Sequence, residues 1–269
     1  MASKGIVKIG TAGIPIACDG SSGDGIEFVN KLGLHAMEVE FVRGVHMKNQ
    51  TADSLKKISQ ENNIELSVHA PYYINLASHE KIKITGSKKR ILDSMERAQH
   101  MGAWVVVVHP GYYGKHEKEK CYELIKKECE DIISIHKGNV LLGLETTAKE
   151  KAFGTLEEIM RLYKEVPGCI PVIDFAHMFA RTGSIDYPAI LDKVKKVKKL
   201  HSHFSNMKKT KKGTYADIHM PIDHAPDLRP LVKEIVKRKI NITMISESPN
   251  IEKDALKVKK MFESQGYKF

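Results

Sequence analysis

Short apolar runs rich in β-branched residues alternate along this chain with longer stretches in which apolar positions recur every three to four residues. The runs fall at 6–10, 36–41, 64–69, 103–109, 140–145, 170–175, 199–205 and 241–247. Amphipathic stretches lie between them near 23–32, 51–62, 83–101, 117–136, 155–166, 187–197, 227–239 and 252–264. Apolar runs without period-2 alternation are the mark of strands buried on both faces, and their regular spacing by helices predicts parallel βαβ units. Eight such units in about 250 residues is the size of a closed (β/α)8 TIM barrel, expected here as one α/β domain spanning residues 1–269. The competing open, doubly wound sheet needs fewer strands and carries a Gly-rich phosphate turn, which the sequence lacks.

The way the strands end says more than their number. Glu40, His69, His109, Glu145, Asp174, His203 and Glu247 each stand at or near the end of an apolar run. In a parallel barrel all strand C-termini emerge on one face, so these side chains are expected to converge there. Gathering carboxylates and imidazoles in one pocket is costly through desolvation and like-charge repulsion unless cations neutralise them. Any single histidine is more often a hydrogen-bonded core or loop residue; seven strand ends repeating the pattern point to metal.

Two further pairs extend the set. Asp174-Phe-Ala-His177 places a second donor three residues after the first, where a strand end enters a helical turn or loop, and Asp217-Ile-His219 puts two donors on one side of an extended segment. Nine candidate ligands result: His69, His109, Glu145, Asp174, His177, His203, Asp217, His219 and Glu247. They exceed what one tetrahedral zinc takes and suit about three ions, with at least one carboxylate bridging and open positions for water and substrate. Thiolate-free, imidazole-rich ligation favours Zn²⁺, with Mn²⁺ the alternative at one site. Closely spaced ions of this kind serve in-line displacement at phosphorus. The remaining histidines, His35, His46, His79, His100, His116, His136, His201 and His224, are read as bystanders, His201 being expected to face away from His203 on its strand.

The charge balance adds a partner. Lys and Arg number 43 against 33 Asp and Glu, giving a formal charge of +10 and a pI near 9.2, which favours a polyanion such as nucleic acid. Much of the lysine lies on outer helices and serves solubility, but Lys208, Lys209, Lys211 and Lys212 cluster between two candidate ligands and are placed to meet phosphates. Four scattered cysteines form no CxxC pair and no disulfide framework. No apolar run reaches the ~18 residues of a membrane span, and the N-terminus turns polar early. A cytoplasmic, monomeric protein is expected.

The segments SVHAPYYINLAS (67–78), VVVVHPG (105–111), LLGLETTA (141–148), VIDFAH (172–177), HFS (203–205), DIH (217–219) and SESP (246–249) resemble those of the endonuclease IV family of AP endonucleases, over residues 6 to 263. The resemblance implies a TIM barrel with a three-zinc site that cuts the phosphodiester 5′ to abasic sites in double-stranded DNA. The products would be a 3′-hydroxyl and a 5′-deoxyribose phosphate, formed without a covalent intermediate, and 3′-diesterase action is implied as well. By position, His69, His109 and Glu145 match the ligands of the first zinc, and Glu145 bridges to a second held also by Asp174, His203 and Glu247. His177, Asp217 and His219 match those of the third. Glu145 is thereby implied to be catalytic, beside the attacking water. Tyr72 and Tyr73 match the place where the family inserts side chains into the duplex, and Arg43 is a looser match to a DNA-penetrating arginine. The chain departs from the family in having Ile218 where an arginine is usual inside DxH, His203-Phe-Ser-Asn206 in place of HxND, and AHMFA without the usual cysteine.

Two other functions fit parts of the pattern. A sugar isomerase or epimerase on a xylose-isomerase-like barrel uses a Glu, Asp, His, Glu set that Glu145, Asp174, His203 and Glu247 satisfy, but it has no use for His69, His109, His177, Asp217 and His219. A non-catalytic nucleic-acid-binding barrel would have no reason to keep nine ligands.

Overall fold

A computed structural model of the protein describes residues 5–269. Its strands are β1 (Val7–Ala12), β2 (Ala36–Glu40), β3 (Glu65–His69), β4 (Val105–Val108), β5 (Leu141–Glu145), β6 (Cys169–Asp174), β7 (Leu200–Phe204), β8 (Asn206–Lys209), β9 (Tyr215–Met220) and β10 (Ile242–Ser246). Its helices are α1 (Ser22–Lys31), α2 (Asn49–Glu61), α3 (Lys81–Met101), α4 (Lys118–Ile135), α5 (Leu156–Glu165), α6 (Phe175–Thr182), α7 (Tyr187–Val194), α8 (Arg229–Arg238) and α9 (Ile251–Ser264). Eight strands close a parallel barrel in the order β1-β10-β7-β6-β5-β4-β3-β2. This is the single (β/α)8 barrel expected.

The apolar runs are strands because both of their faces are covered. Val105 to Val108 are all fully buried, one face against the barrel interior and the other against the helices, and β-branched residues fit that pleated, two-sided environment. The helices begin where the sequence supplies caps. Ser21 with Asp24 and Thr155 with Glu158 each form a reciprocal capping box at the starts of α1 and α5. Fully buried Ile91, Met95 and Ala98 on α3 follow the i, i+4, i+7 spacing of a helix face turned to the barrel.

The barrel interior is polar at three heights. Near the N-terminal ends, the Glu65 carboxylate takes Lys8 and Lys199 at 2.7 Å each and the Thr243 hydroxyl at 2.6 Å. Midway, Glu38, Ser67 and His201 meet. At the C-terminal ends lies the large ionisable cluster.

Two elements stand outside the expected eight units. The antiparallel hairpin of β8 and β9 rises from the C-terminal face just after β7. The short helix α6 starts directly from β6: Asp174 ends the strand and caps the helix, its Oδ1 accepting from the His177 backbone N–H at 2.7 Å. That cap sets His177 one turn beyond Asp174 and facing the same pocket.

Candidate metal centre

The C-terminal face gathers the strand-end residues. Glu145, at the end of β5, is completely buried. Its Oε2 lies 2.8 Å from His109 Nε2 and 3.3 Å from His69 Nε2. Its Oε1 lies 3.1 Å from His203 Nδ1 and 3.2 Å from His177 Nδ1. One carboxylate thus joins two halves of the cluster. Ligand atoms within 4.8 Å of one another form the groups His69–His109–Glu145, Asp174–His177–His219 and Glu145–Asp174–His203–Glu247. Eight of the nine candidates fall in these groups. The ninth, Asp217 on β9, comes within 3.3 Å of His177 Nε2, so the hairpin folds over the pocket and delivers Asp217 and His219 to it.

The imidazoles are oriented as ligands need to be. His69 Nδ1 stands 2.8 Å from the carbonyl of Ala70, His177 Nδ1 3.0 Å from that of Thr146, and His219 Nδ1 2.9 Å from that of Glu247. A ring that donates one N–H to a carbonyl keeps the other nitrogen as a free lone pair for a metal. Gly111 helps to place His109: at φ +143° a Cβ there would come within 2.5 Å of Asn75 Oδ1, so only glycine allows the turn after Pro110.

Charge in the pocket is balanced tightly. Burial, the strongest influence on Glu145, favours its neutral form, yet the imidazoles of His109 and His203 hold it ionised well below the usual carboxylate range. His69 is opposed most by burial, but hydrogen bonding to Glu145 and the charges of Glu40 and Glu145 carry it up to about 10. His177 and His203 are raised well above their ordinary value in the same way, burial being outweighed by Asp174 for the first and by Glu247 and Glu38 for the second. Burial raises Asp174, and among the described residues Asp174 Oδ2 has no hydrogen-bond partner. Imidazoles driven to the charged state around buried carboxylates, one with an orphaned oxygen, are a pocket that calls for cations. The donor set of imidazole nitrogen and carboxylate oxygen, free of thiolate, fits Zn²⁺.

The expected DNA-binding residues lie on the rim. Tyr72 and Tyr73 are 63% and 68% exposed, Arg43 is exposed on the connection after β2, and Lys208, Lys209, Lys211 and Lys212 are exposed on the hairpin. Ile218, between Asp217 and His219, is half exposed.

One expectation fails, and one residue joins the pocket unexpectedly. His201 does not face away from His203: residues two apart in a strand share a face, and both imidazoles reach Glu38 at 2.8 Å. Among the described residues, Glu38, His201 and His203 form a fourth group of potential ligands. Glu38 was detectable, because a carboxylate within the apolar run AMEVE at an even spacing from Glu40 has only the barrel interior to point into. The other seven bystander histidines join none of these groups; His100 pairs with Asp53 at 2.9 Å and His79 stacks on His116.

Comparison with known proteins agrees with this architecture. An uncharacterised protein of Methanocaldococcus jannaschii is 35% identical over 268 residues, covering 94% of this chain and 96% of that protein. The probable endonuclease 4 of Mycoplasmopsis pulmonis is 30% identical over 203 residues, covering 70% and 72%. Among solved structures, a D-tagatose 3-epimerase-like protein superposes with a TM-score of 0.73 at 20% identity, covering 94% of this chain and 96% of its own. Endonuclease IV of Thermus thermophilus does so with a TM-score of 0.71 at 19% identity, covering 96% and 99%. At such identities the structural likeness shows the fold alone. A model of the xylose isomerase-like TIM barrel matches residues 26–265, and together with the endonuclease 4 relative it shows that the chain belongs to the xylose isomerase-like TIM barrel family and, within it, to the endonuclease IV family.

Proposed function

We propose that this protein is a zinc-dependent DNA-repair endonuclease that hydrolyses the phosphodiester 5′ to an abasic site in double-stranded DNA. The observation that carries the reading is Glu145, whose two oxygens face opposite halves of a nine-residue cluster. The group Glu145, Asp174, His203 and Glu247 alone would serve a one-metal sugar epimerase, the second reading. That reaction has no use for His69, His109, His177, Asp217 and His219, which surround the same carboxylates.

In this reading His69, His109 and Glu145 would hold one ion, Glu145, Asp174, His203 and Glu247 a second, and His177, Asp217 and His219 a third. Bound ions supply a nucleophilic water at neutral pH and neutralise charge on the phosphate and leaving oxygens. Glu145 ties the two halves together and, facing both, lies beside the place of the attacking water. The Asp174 cap and the three carbonyl-anchored imidazoles keep the pocket rigid, so little reorganisation accompanies reaction. Water adds to phosphorus while the bond to the upstream O3′ breaks, and the proton the water gives up ends on O3′, leaving a 3′-hydroxyl and a 5′-deoxyribose phosphate. Tyr72 and Tyr73 project from the rim to fill the space of an extruded nucleotide, where the missing base lowers the cost of extrusion. The exposed hairpin lysines meet flanking phosphates.

The test is a duplex with one abasic site, incubated with metal-replete protein. The expected result is one incision with those ends, lost on chelation and restored by zinc. An intact duplex, with C3 epimerisation of a ketohexose by the same sample, would establish the epimerase instead.

A further inference from the structure

We infer that Glu38 is a positioning residue for His203, holding its Nε2 so that Nδ1 offers its lone pair to the ion shared with Glu145, Asp174 and Glu247. The inference rests on the metal reading above and assigns a role to a buried carboxylate that this reading does not use. His203 differs from the other ring-anchored ligands. His69, His177 and His219 each present a nitrogen to a backbone carbonyl, whereas His203 Nδ1 faces the cluster, 3.1 Å from Glu145 and 3.4 Å from Glu247, and its Nε2 faces Glu38 Oε1 at 2.8 Å.

That approach is close but skewed from hydrogen-bond angles, and neither atom has another hydrogen-bond partner among the described residues. Each is therefore the other's natural mate. Glu38 is itself clamped. Its Oε2 accepts from Ser67 Oγ at 2.7 Å and from His201 Nε2 at 2.8 Å, and His201 packs edge-on against Trp104. Both imidazoles and Glu38 are fully buried, so water cannot replace these interactions. A carboxylate behind a ligating histidine fixes its tautomer and makes it a stronger donor than a carbonyl does. The interior layer of Glu38, Ser67 and His201 is thus the support of the second metal position.

Glu38→Gln tests this. The carboxylate faces three donors with two acceptor oxygens, whereas the amide has one acceptor oxygen and sets its NH₂ against one of those donors. Competition of zinc against a chromophoric chelator should show one site weakened by about 10- to 100-fold, with the circular dichroism of the metal-free protein near wild type. Unchanged zinc affinities in a folded variant overturn the inference, and so does a loss of thermal stability with every zinc affinity intact, which is the mark of a merely structural role. A wild-type chain that takes up no zinc overturns the metal reading itself and the inference with it. Should Glu38→Gln fail to fold, ¹⁵N spectra of zinc-loaded wild type decide: His203 protonated at Nε2 and ligated through Nδ1 is expected, and the reverse tautomer refutes the proposal.

Discussion

Replacing Glu145 with Gln removes one unit of charge at nearly constant volume, and the structure indicates how large the effect should be. The carboxylate meets four imidazole nitrogens between 2.8 and 3.3 Å and is completely buried. Removing one partner of a buried ionic pair leaves the other charge uncompensated at a cost of about 3–5 kcal/mol. At ~1.36 kcal/mol per tenfold in rate, that is about 10²- to 5 × 10³-fold if the whole deficit falls on the reacting state. The amide also bridges two cations poorly, so the effect should lie at the upper end. The assay is single-turnover incision of an abasic duplex with zinc in excess, beside a zinc count on the same sample. The expected outcome is a folded protein with incision reduced about a thousandfold and fewer ions retained. Incision within tenfold of wild type would refute the bridging role.

Three other outcomes follow from the same geometry. Changing Lys208, Lys209, Lys211 and Lys212 together to Ala should weaken DNA binding at all sequences and flatten log K against log salt by roughly 0.9 for each phosphate that is no longer neutralised; an unchanged slope makes the hairpin lysines a solvated surface. Changing Tyr72 and Tyr73 to Ala removes stacking worth ~1–3 kcal/mol per base, so abasic-duplex affinity should fall about tenfold while zinc content and melting temperature hold; a melting temperature that drops in step with activity makes the tyrosines structural. Because burial is outweighed by the surrounding carboxylates, which raise His69, His177 and His203 above their ordinary value, protons compete with metal for these rings. Zinc loading near pH 7 should therefore release protons and tighten as pH rises; calorimetry in buffers of different ionisation enthalpy measures this, and no buffer dependence would contradict it.

The barrel was legible because a strand buried on both faces is an unbroken apolar run, and eight such runs separated by amphipathic helices leave little choice of fold. The pocket was legible for a related reason: an ionisable group ending an apolar strand can only point to the barrel mouth, so His69, His109, Glu145, Asp174, His203 and Glu247 could be grouped by their place in the strands alone. The β8–β9 hairpin was not, because KKTKKGTYADIHM is polar on both faces and carries no strand signal until packing against α6 fixes it. Helix α6 was short enough to read as a turn. Glu38 and His201 lie one layer below the strand ends, where an ionisable group carries no end-of-strand signal; a strand period of 2 puts Glu38 on the face of Glu40 and His201 on that of His203, against the expectation for His201.

Zinc titration into metal-stripped protein, with incision of an abasic duplex followed at each step, tests the central claim most directly. Nine converging candidate ligands predict that incision appears and plateaus only as bound zinc approaches about three ions per chain. Saturation at one ion, with no incision at any zinc concentration, would contradict the account.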